Sequence, residues 1–188
     1  VAWVKLDGDR NALYVEEFCE FTRELAIIVT RGQDGSVVRY PAVETINREH
    51  ICCVVKAPVH APCVGDLAER AITAIGGVGS FGMELFELRD GRLLVNEIAP
   101  RPHNSGHATI EACSSSQFDQ QVRTLAGLPL GEVRLLCPAV MLNLLGDAWF
   151  DAQGRERVPP FERALAVPGA CLHLYGKREA RRGRKMGH

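Results

Sequence analysis

Phe81-Gly82-Met83-Glu84-Leu85-Phe86-Glu87-Leu88-Arg89-Asp90-Gly91-Arg92-Leu93-Leu94-Val95-Asn96-Glu97-Ile98 carries the pattern of an antiparallel hairpin. Two apolar runs, Phe81 to Leu88 and Leu93 to Ile98, flank Arg89 to Arg92, and Asp-Gly between such runs is the strongest short signal for a two-residue type I′ hairpin turn. With Asp90-Gly91 as the loop, Arg89 faces Arg92, Leu88 faces Leu93, Phe86 faces Val95 and Glu84 faces Glu97. Both carboxylates then share one sheet face with apolar pairs. Like charges directly opposite destabilise a ladder, and burial raises carboxyl pKa values unless a cation compensates. Two readings stand. In one, a divalent cation neutralises the pair; hard oxygen ligands favour Mg²⁺ or Mn²⁺, commonly held by one or two carboxylates plus substrate phosphates. In the other, a bulge breaks the register and one glutamate points to water.

The chain leaves this hairpin through Asn96-Glu97-Ile98-Ala99-Pro100-Arg101-Pro102-His103-Asn104-Ser105-Gly106-His107, a density of acid, base and amide groups that a structural loop seldom needs. Pro100 and Pro102 stiffen the backbone on either side of Arg101, which favours a placed side chain over a surface ion pair. The other hairpin signal is Glu24 to Arg31 and Ser36 to Val43 around Gly32-Gln33-Asp34-Gly35. Gly65 to Gly76, with Leu67, Ala68, Ala71, Ile72 and Ile75 at helical spacing, predicts a short packed helix. Ser114-x-x-Gln117 fits a capping box for a second helix with an apolar stripe of Phe118, Val122 and Leu125, stopped by Gly127 and Pro129. Further strands are expected at Ala12 to Phe18, Ala139 to Leu145 and Ala170 to Tyr175, with Gly146 to Pro160 as a loop. Antiparallel hairpins interspersed with helices indicate an α+β architecture rather than a doubly wound sheet.

At 188 residues, 46% hydrophobic and a net charge of −1, the chain can bury a sizeable core and carries no overall bias toward polyanions. No apolar run approaches the roughly 20 residues of a membrane span, so no membrane partner is expected. Seven scattered cysteines without a C-x-x-C pattern suggest reduced thiols and a cytoplasmic setting. No H-E-x-x-H occurs, which argues against zinc. The last thirteen residues hold six basic side chains against Glu179, a local +5 that leaves −6 for the rest. A basic tail often binds nucleic acid, but this one lacks interleaved aromatics, so no nucleic acid is expected.

Gly82-Met83-Glu84-Leu85-Phe86, Asn96 to His107, Thr109-Ile110-Glu111-Ala112-Cys113, Ser116-Gln117-Phe118, Gly127-Leu128-Pro129-Leu130-Gly131, Leu174-Tyr175-Gly176-Lys177 and Gly183 to His188 together resemble the 5-(carboxyamino)imidazole ribonucleotide synthases, ATP-grasp enzymes of purine biosynthesis. The matches run in order from about Tyr14 to His188. Ala108 departs from the pattern, standing where an aromatic is expected. The resemblance implies an ATP-grasp fold, with residues 1–135 as an ATP-binding lobe and 136–188 as a small lobe closing the substrate site. Because Val1 is not a methionine and the family's enzymes begin earlier, the sequence is expected to be the later part of a longer chain, inactive when assayed alone.

The same resemblance implies the sites. Glu16, Glu17, Phe18 and Cys19 match the hinge whose backbone meets the adenine of ATP, and Glu24 matches the carboxylate that takes the ribose hydroxyls. Glu84 and Glu97 are the implied Mg²⁺ (or Mn²⁺) ligands. Arg101 faces bicarbonate or the carboxyphosphate made from it, and is the implied catalytic residue. His103, Asn104 and Ser105 continue past the acceptor, where they can bond a ribose phosphate or the imidazole amine; His107 is assigned to structure. Lys177 and Arg184 are placed at the phosphate of 5-aminoimidazole ribonucleotide. The implied reaction uses ATP, bicarbonate and that ribonucleotide, with homodimerisation left open. Alternatives are the same module fused to a carboxylase domain, a formate-activating ligase, and a non-catalytic nucleotide-binding remnant.

Overall fold

The computed structural model describes residues 17–188. Strand β1 (Arg23–Arg31) runs up the centre of a seven-stranded sheet. β2 (Val37–Arg39) and then β3 (Val43–Arg48) pair on one side of it, with Val29 opposite Arg39 and Glu24 opposite Thr45. β4 (Ile51–Ala57) follows β3. On the other side β5 (Gly79–Glu87) pairs along the whole of β1, and β6 (Leu93–Ala99) forms the edge beyond it. β7 (Ala139–Leu142) closes the opposite edge against β4. Every pairing is antiparallel, and the α+β expectation holds.

Period-two alternation in β1 and β5 divides the sheet into two working faces. Leu25, Ile27, Val29, Phe81, Met83 and Leu85 point one way and pack on Val64, Ala68 and Ile72 of helix α1 (Val64–Ile75). Those three helical residues recur every four positions, so one stripe is buried. Gly76 stops the helix in the left-handed region at φ 69°. Ile75, expected in the stripe, faces outward. Ala26 and Ile28 point to the other face, which is covered by the segment after β6, by the short helix α2 (Thr109–Ala112) and by α3 (Gln117–Leu125).

Several expectations need correction. The hairpin turn is a three-residue loop, with Gly91 at φ 81° and Leu88 N–H bonded to the Arg92 carbonyl at 2.9 Å. Near the turn this shifts the register by one, so Leu85 pairs with Val95 and Phe86 with Leu94. A bulge between Glu84 and Leu85, absorbed at Asn96, shifts it back, and Glu84 still faces Glu97. The capping box of α3 is Ser116 with Asp119, in which Asp119 N–H donates to Ser116 Oγ at 3.1 Å and Ser116 N–H to the Asp119 carboxylate at 2.8 Å. Ser114 instead binds the Glu132 carbonyl at 2.8 Å. The faces of α3 are reversed: Gln117, Gln120 and Thr124 are buried, while Val122 and Leu125 are 63% and 74% exposed.

The chain crosses from the large sheet at Asn143 into a two-stranded ribbon of β8 (Leu144–Leu145) and β9 (Lys185–Gly187), so Ala139 to Leu145 is not one strand. Ala170 to Tyr175 is not a strand either; it touches the end of the chain through paired His173 and His188 backbone bonds, both 2.9 Å, and one bridge at Leu174. A short helix α4 (Phe161–Leu165) follows the Gly146 to Pro160 connection, which itself contains a 3₁₀ turn at Gly146–Trp149. Residues 12–16 of the expected first strand lie outside the described residues, and Glu17 and Phe18 are not in a strand.

Candidate functional site

Glu24, Glu84 and Glu97 stand on the same face of three adjacent strands, since Glu84 is opposite Glu97 on β6 and opposite Ala26 on β1, two residues from Glu24. Glu84 is half-buried, and its carboxyl is held above the usual range by burial first, then by Glu97 and Glu24. Lys185 and Arg101 oppose that shift. A half-buried carboxylate such as Glu84, with the exposed Glu97 opposite it, gains from a cation. No group of three or more acidic, His or Cys side chains able to hold a metal occurs among the described residues. Two carboxylates alone are half a site, which fits Mg²⁺ completed by phosphate oxygens better than a metal caged by protein. Glu24 accepts a hydrogen bond from Asn47 Nδ2.

The segment after β6 folds over this face because two glycines make room for it. A Cβ at Gly82 would lie 2.3 Å from His103 Cβ, and one at Gly106 would lie 2.5 Å from Ile28 Cγ1. His103 is buried, with Nδ1 2.8 Å from Ser105 Oγ and Nε2 3.4 Å from Glu84 Oε1. Burial, reinforced by Arg101, lowers the His103 pKa, while that of Glu84 is raised. Both directions make the contact a hydrogen bond from a neutral imidazole rather than an ion pair. Nε2–H then donates to the carboxylate, and Nδ1 accepts from the serine hydroxyl, an assignment made from the partners. Arg101 is exposed; its guanidinium donates to the Pro102 carbonyl at 3.1 Å and meets no carboxylate among the described residues.

Asn104 and Asn143 exchange side-chain amide bonds of 2.8 and 2.7 Å, and Asn143 also donates to the Cys52 carbonyl at 2.9 Å. Lys185 Nζ donates to Asn104 Oδ1 at 3.0 Å. The large sheet, the loop and the terminal ribbon therefore meet at one amide pair. Sequence reading missed Lys185 and Asn143. Lys185 opens β9 and is half-buried next to the exposed Arg184, and Asn143 was the one polar residue in an apolar run. Gln117, expected as the capping-box partner of Ser114, is instead wholly buried against His103 and His107.

The remaining expected residues are more dispersed. Lys177 and Arg184 are both exposed: Lys177 Nζ lies 5.5 Å from the Tyr175 ring centre, and Arg184 donates to the Glu179 carbonyl at 2.9 Å. Of the hinge, Glu16 lies outside the described residues, Glu17 and Phe18 are exposed, and Cys19 is half-buried. Ala108, where an aromatic was expected, lines a small apolar cavity with Ile28, Tyr40, Val43 and Ala112.

Residues 1–118 match the ATP-grasp domain and residues 139–188 the phosphoribosylaminoimidazole carboxylase C-terminal domain. The chain is 45% identical to the phosphoribosylaminoimidazole carboxylase of Schizosaccharomyces pombe, over 98% of this chain and 35% of that protein. Its fold superposes on N5-carboxyaminoimidazole ribonucleotide synthetase from Thermotoga maritima with a TM-score of 0.82 and 45% identity, covering 94% of this chain and 49% of that one. The corresponding synthase of Aspergillus clavatus, solved with ADP and 5-aminoimidazole ribonucleotide, matches at a TM-score of 0.80 and 40% identity, over 90% of this chain and 46% of that one. The chain thus spans between a third and a half of the length of these relatives. The paired carboxylates, the loop folded over them and a domain match covering residues 1–118 agree, and this chain belongs to the ATP-grasp family.

Proposed function

We propose that this chain serves the ATP-dependent carboxylation of 5-aminoimidazole ribonucleotide with bicarbonate, giving 5-(carboxyamino)imidazole ribonucleotide, ADP and phosphate. The observation that carries it is the Glu84 and Glu97 pair beneath a loop presenting Arg101 and His103, in a chain similar to a synthase solved with ADP and that ribonucleotide. Glu84 and Glu97 would hold Mg²⁺, which supplies charge neutralisation at the phosphates. Bicarbonate oxygen attacks the γ-phosphorus and expels ADP. The amine of the ribonucleotide then attacks the carboxyphosphate carbon, loses a proton and expels phosphate. Arg101 offers a planar guanidinium to bicarbonate and carboxyphosphate; positioning and charge stabilisation are the protein's share.

In the same proposal Glu16 to Cys19 meet adenine, Glu24 takes the ribose hydroxyls, and Lys177 and Arg184 hold the phosphate of the ribonucleotide. His103, Asn104 and Ser105 line the acceptor side, with residues 1–135 and 136–188 as the two lobes. Seven free cysteines support a cytoplasmic setting. A second reading, in which the unit works fused to a further carboxylase domain, is favoured by the S. pombe relative, of which this chain covers only 35%. The test is ADP formation by the complete enzyme carrying this sequence. The proposal expects a rate that requires both bicarbonate and 5-aminoimidazole ribonucleotide. Equal rates without either, or replacement of bicarbonate by formate, would overturn it.

A further inference from the structure

We propose that Gln117 is a positioning residue for this site: its side-chain amide templates the loop backbone at His103 and fixes His107 as the tautomer with its proton on Nε2. The consequence for catalysis rests on the proposed function; the tautomer does not.

Gln117 is wholly buried at the first turn of α3. Its Oε1 accepts the His103 backbone N–H at 2.8 Å, and its Nε2 donates to the His103 carbonyl at 2.8 Å. One side chain thus supplies to His103 the two bonds that a neighbouring β-strand would supply, and His103 is extended, with φ −116° and ψ 150°. The second Nε2 hydrogen points to His107 Nδ1 at 2.9 Å. The two backbone bonds alone fix the orientation of the amide. Flipped, it would set an oxygen against the His103 carbonyl and an NH₂ group against the His103 N–H. Because Nδ1 of His107 must accept, the proton of the neutral ring is on Nε2. Gly106 permits the approach, since a Cβ there would lie 2.6 Å from Gln117 Oε1.

The surroundings keep His107 neutral. Burial first, then the neighbouring His188, His103, Lys185 and His173, push its pKa down to about 4. The rings of Phe118, Tyr175 and His188 pack on it at 5.4, 6.0 and 5.1 Å, and the nearby acid Glu111 is engaged by His173 at 2.6 Å. A hydrogen-bond donor from Gln117 and burial, with the Lys185 ammonium nearby, therefore act together. The loop that carries Arg101 and His103 is registered by an amide that need not touch substrate.

The test is nitrogen NMR of His107 against pH, in wild type, Gln117→Glu and Gln117→Met, with kcat and KM of the complete enzyme beside it. Wild type is expected to show an unprotonated Nδ1 and a protonated Nε2. In Gln117→Glu a carboxylate faces Nδ1, so the proton should move to Nδ1 and the titration midpoint should rise by roughly 1–3 pH units. Gln117→Met, which fills the space without the bonds, should mix the tautomers. In both variants kcat should fall about 100-fold with little change in the KM for ATP, because a misplacement of about 1 Å costs that much. A wild-type His107 protonated on Nδ1 would overturn the proposal whether or not the variants fold. So would an unchanged kcat in variants whose tautomer had changed. A wild-type enzyme inactive on the ribonucleotide would count against the functional reading alone, and the tautomer would still decide the Gln117 assignment.

Discussion

Replacing Gly82 by alanine should dislodge the acceptor loop. Gly82 is buried in β5 and its φ is in the ordinary range, so alanine meets no backbone strain. The obstacle is His103, whose Cβ and Cγ would lie 2.3 and 2.5 Å from the new methyl. Carbon atoms pack at about 3.5–4.0 Å, so the loop must retreat by roughly 1.2–1.7 Å. His103 is tied to Ser105, Glu84 and Gln117, and no single rotation releases it. Overpacking of this kind costs about 1–3 kcal/mol, and the reduced freedom of the unfolded chain returns about 0.4–1 kcal/mol. The net loss should be about 1–2 kcal/mol in urea unfolding, with kcat in the complete enzyme falling about 100-fold. Wild-type stability together with unshifted His103 ring resonances would refute the packing reasoning.

Alanine at Ser116 should cost about 1 kcal/mol in urea unfolding, because Ser116 and Asp119 satisfy each other's backbone N–H at the start of α3; no change would mean that the box is ornamental. If Lys177 and Arg184 hold the ribonucleotide phosphate as proposed, Lys177→Ala and Arg184→Ala should raise the KM for 5-aminoimidazole ribonucleotide, by the loss of a charge-assisted contact worth about 1.5–3 kcal/mol, and leave ATP affinity unmoved; the reverse pattern would assign the tail to the nucleotide. Without metal, thermal unfolding should show stability falling as pH rises from about 4.3 through the raised Glu84 pKa, since the folded state holds the proton more tightly there. His107, with its pKa lowered to about 4, works in the opposite sense between that pH and its ordinary range, so the Glu84 effect is read as the difference between wild type and Glu84→Gln. An identical pH profile in the two proteins would remove the assignment.

Both expected hairpins and helix α1 were legible because their turn residues and apolar spacing agree, but the strand expected from Ser36 to Val43 stops at Arg39, and Val43 opens β3. Glu84 faces Glu97 as the hairpin pattern predicts, because the longer turn and the bulge at Asn96 each shift the register by one and cancel. Strands β3 and β4 escaped notice because their turn uses Glu49 and His50 at φ 49° and 63°, with no glycine to mark it. Helix α3 was found but turned inside out. Hydrophobicity favours burying Val122 and Leu125, yet Gln117 and Gln120 bond the backbones of His103 and Gly131, and a buried polar group that is fully bonded does not oppose burial. At the site, charge and spacing exposed the carboxylates and the loop. Lys185 and Asn143 stayed hidden because their roles depend on a ribbon formed by residues far apart in the chain.

In the proposed function Glu84 and Glu97 set the phosphates of ATP where bicarbonate attacks the γ-phosphorus. Bicarbonate labelled with heavy oxygen, given to the complete enzyme with ATP, Mg²⁺ and 5-aminoimidazole ribonucleotide, tests it through the mass of the phosphate released. One heavy oxygen is expected in each phosphate, because the oxygen bound to phosphorus stays there when the amine takes the carbon. Glu97→Gln should slow this transfer by orders of magnitude while the fold survives. Unlabelled phosphate from the wild-type enzyme, or undiminished label transfer in Glu97→Gln, would contradict it.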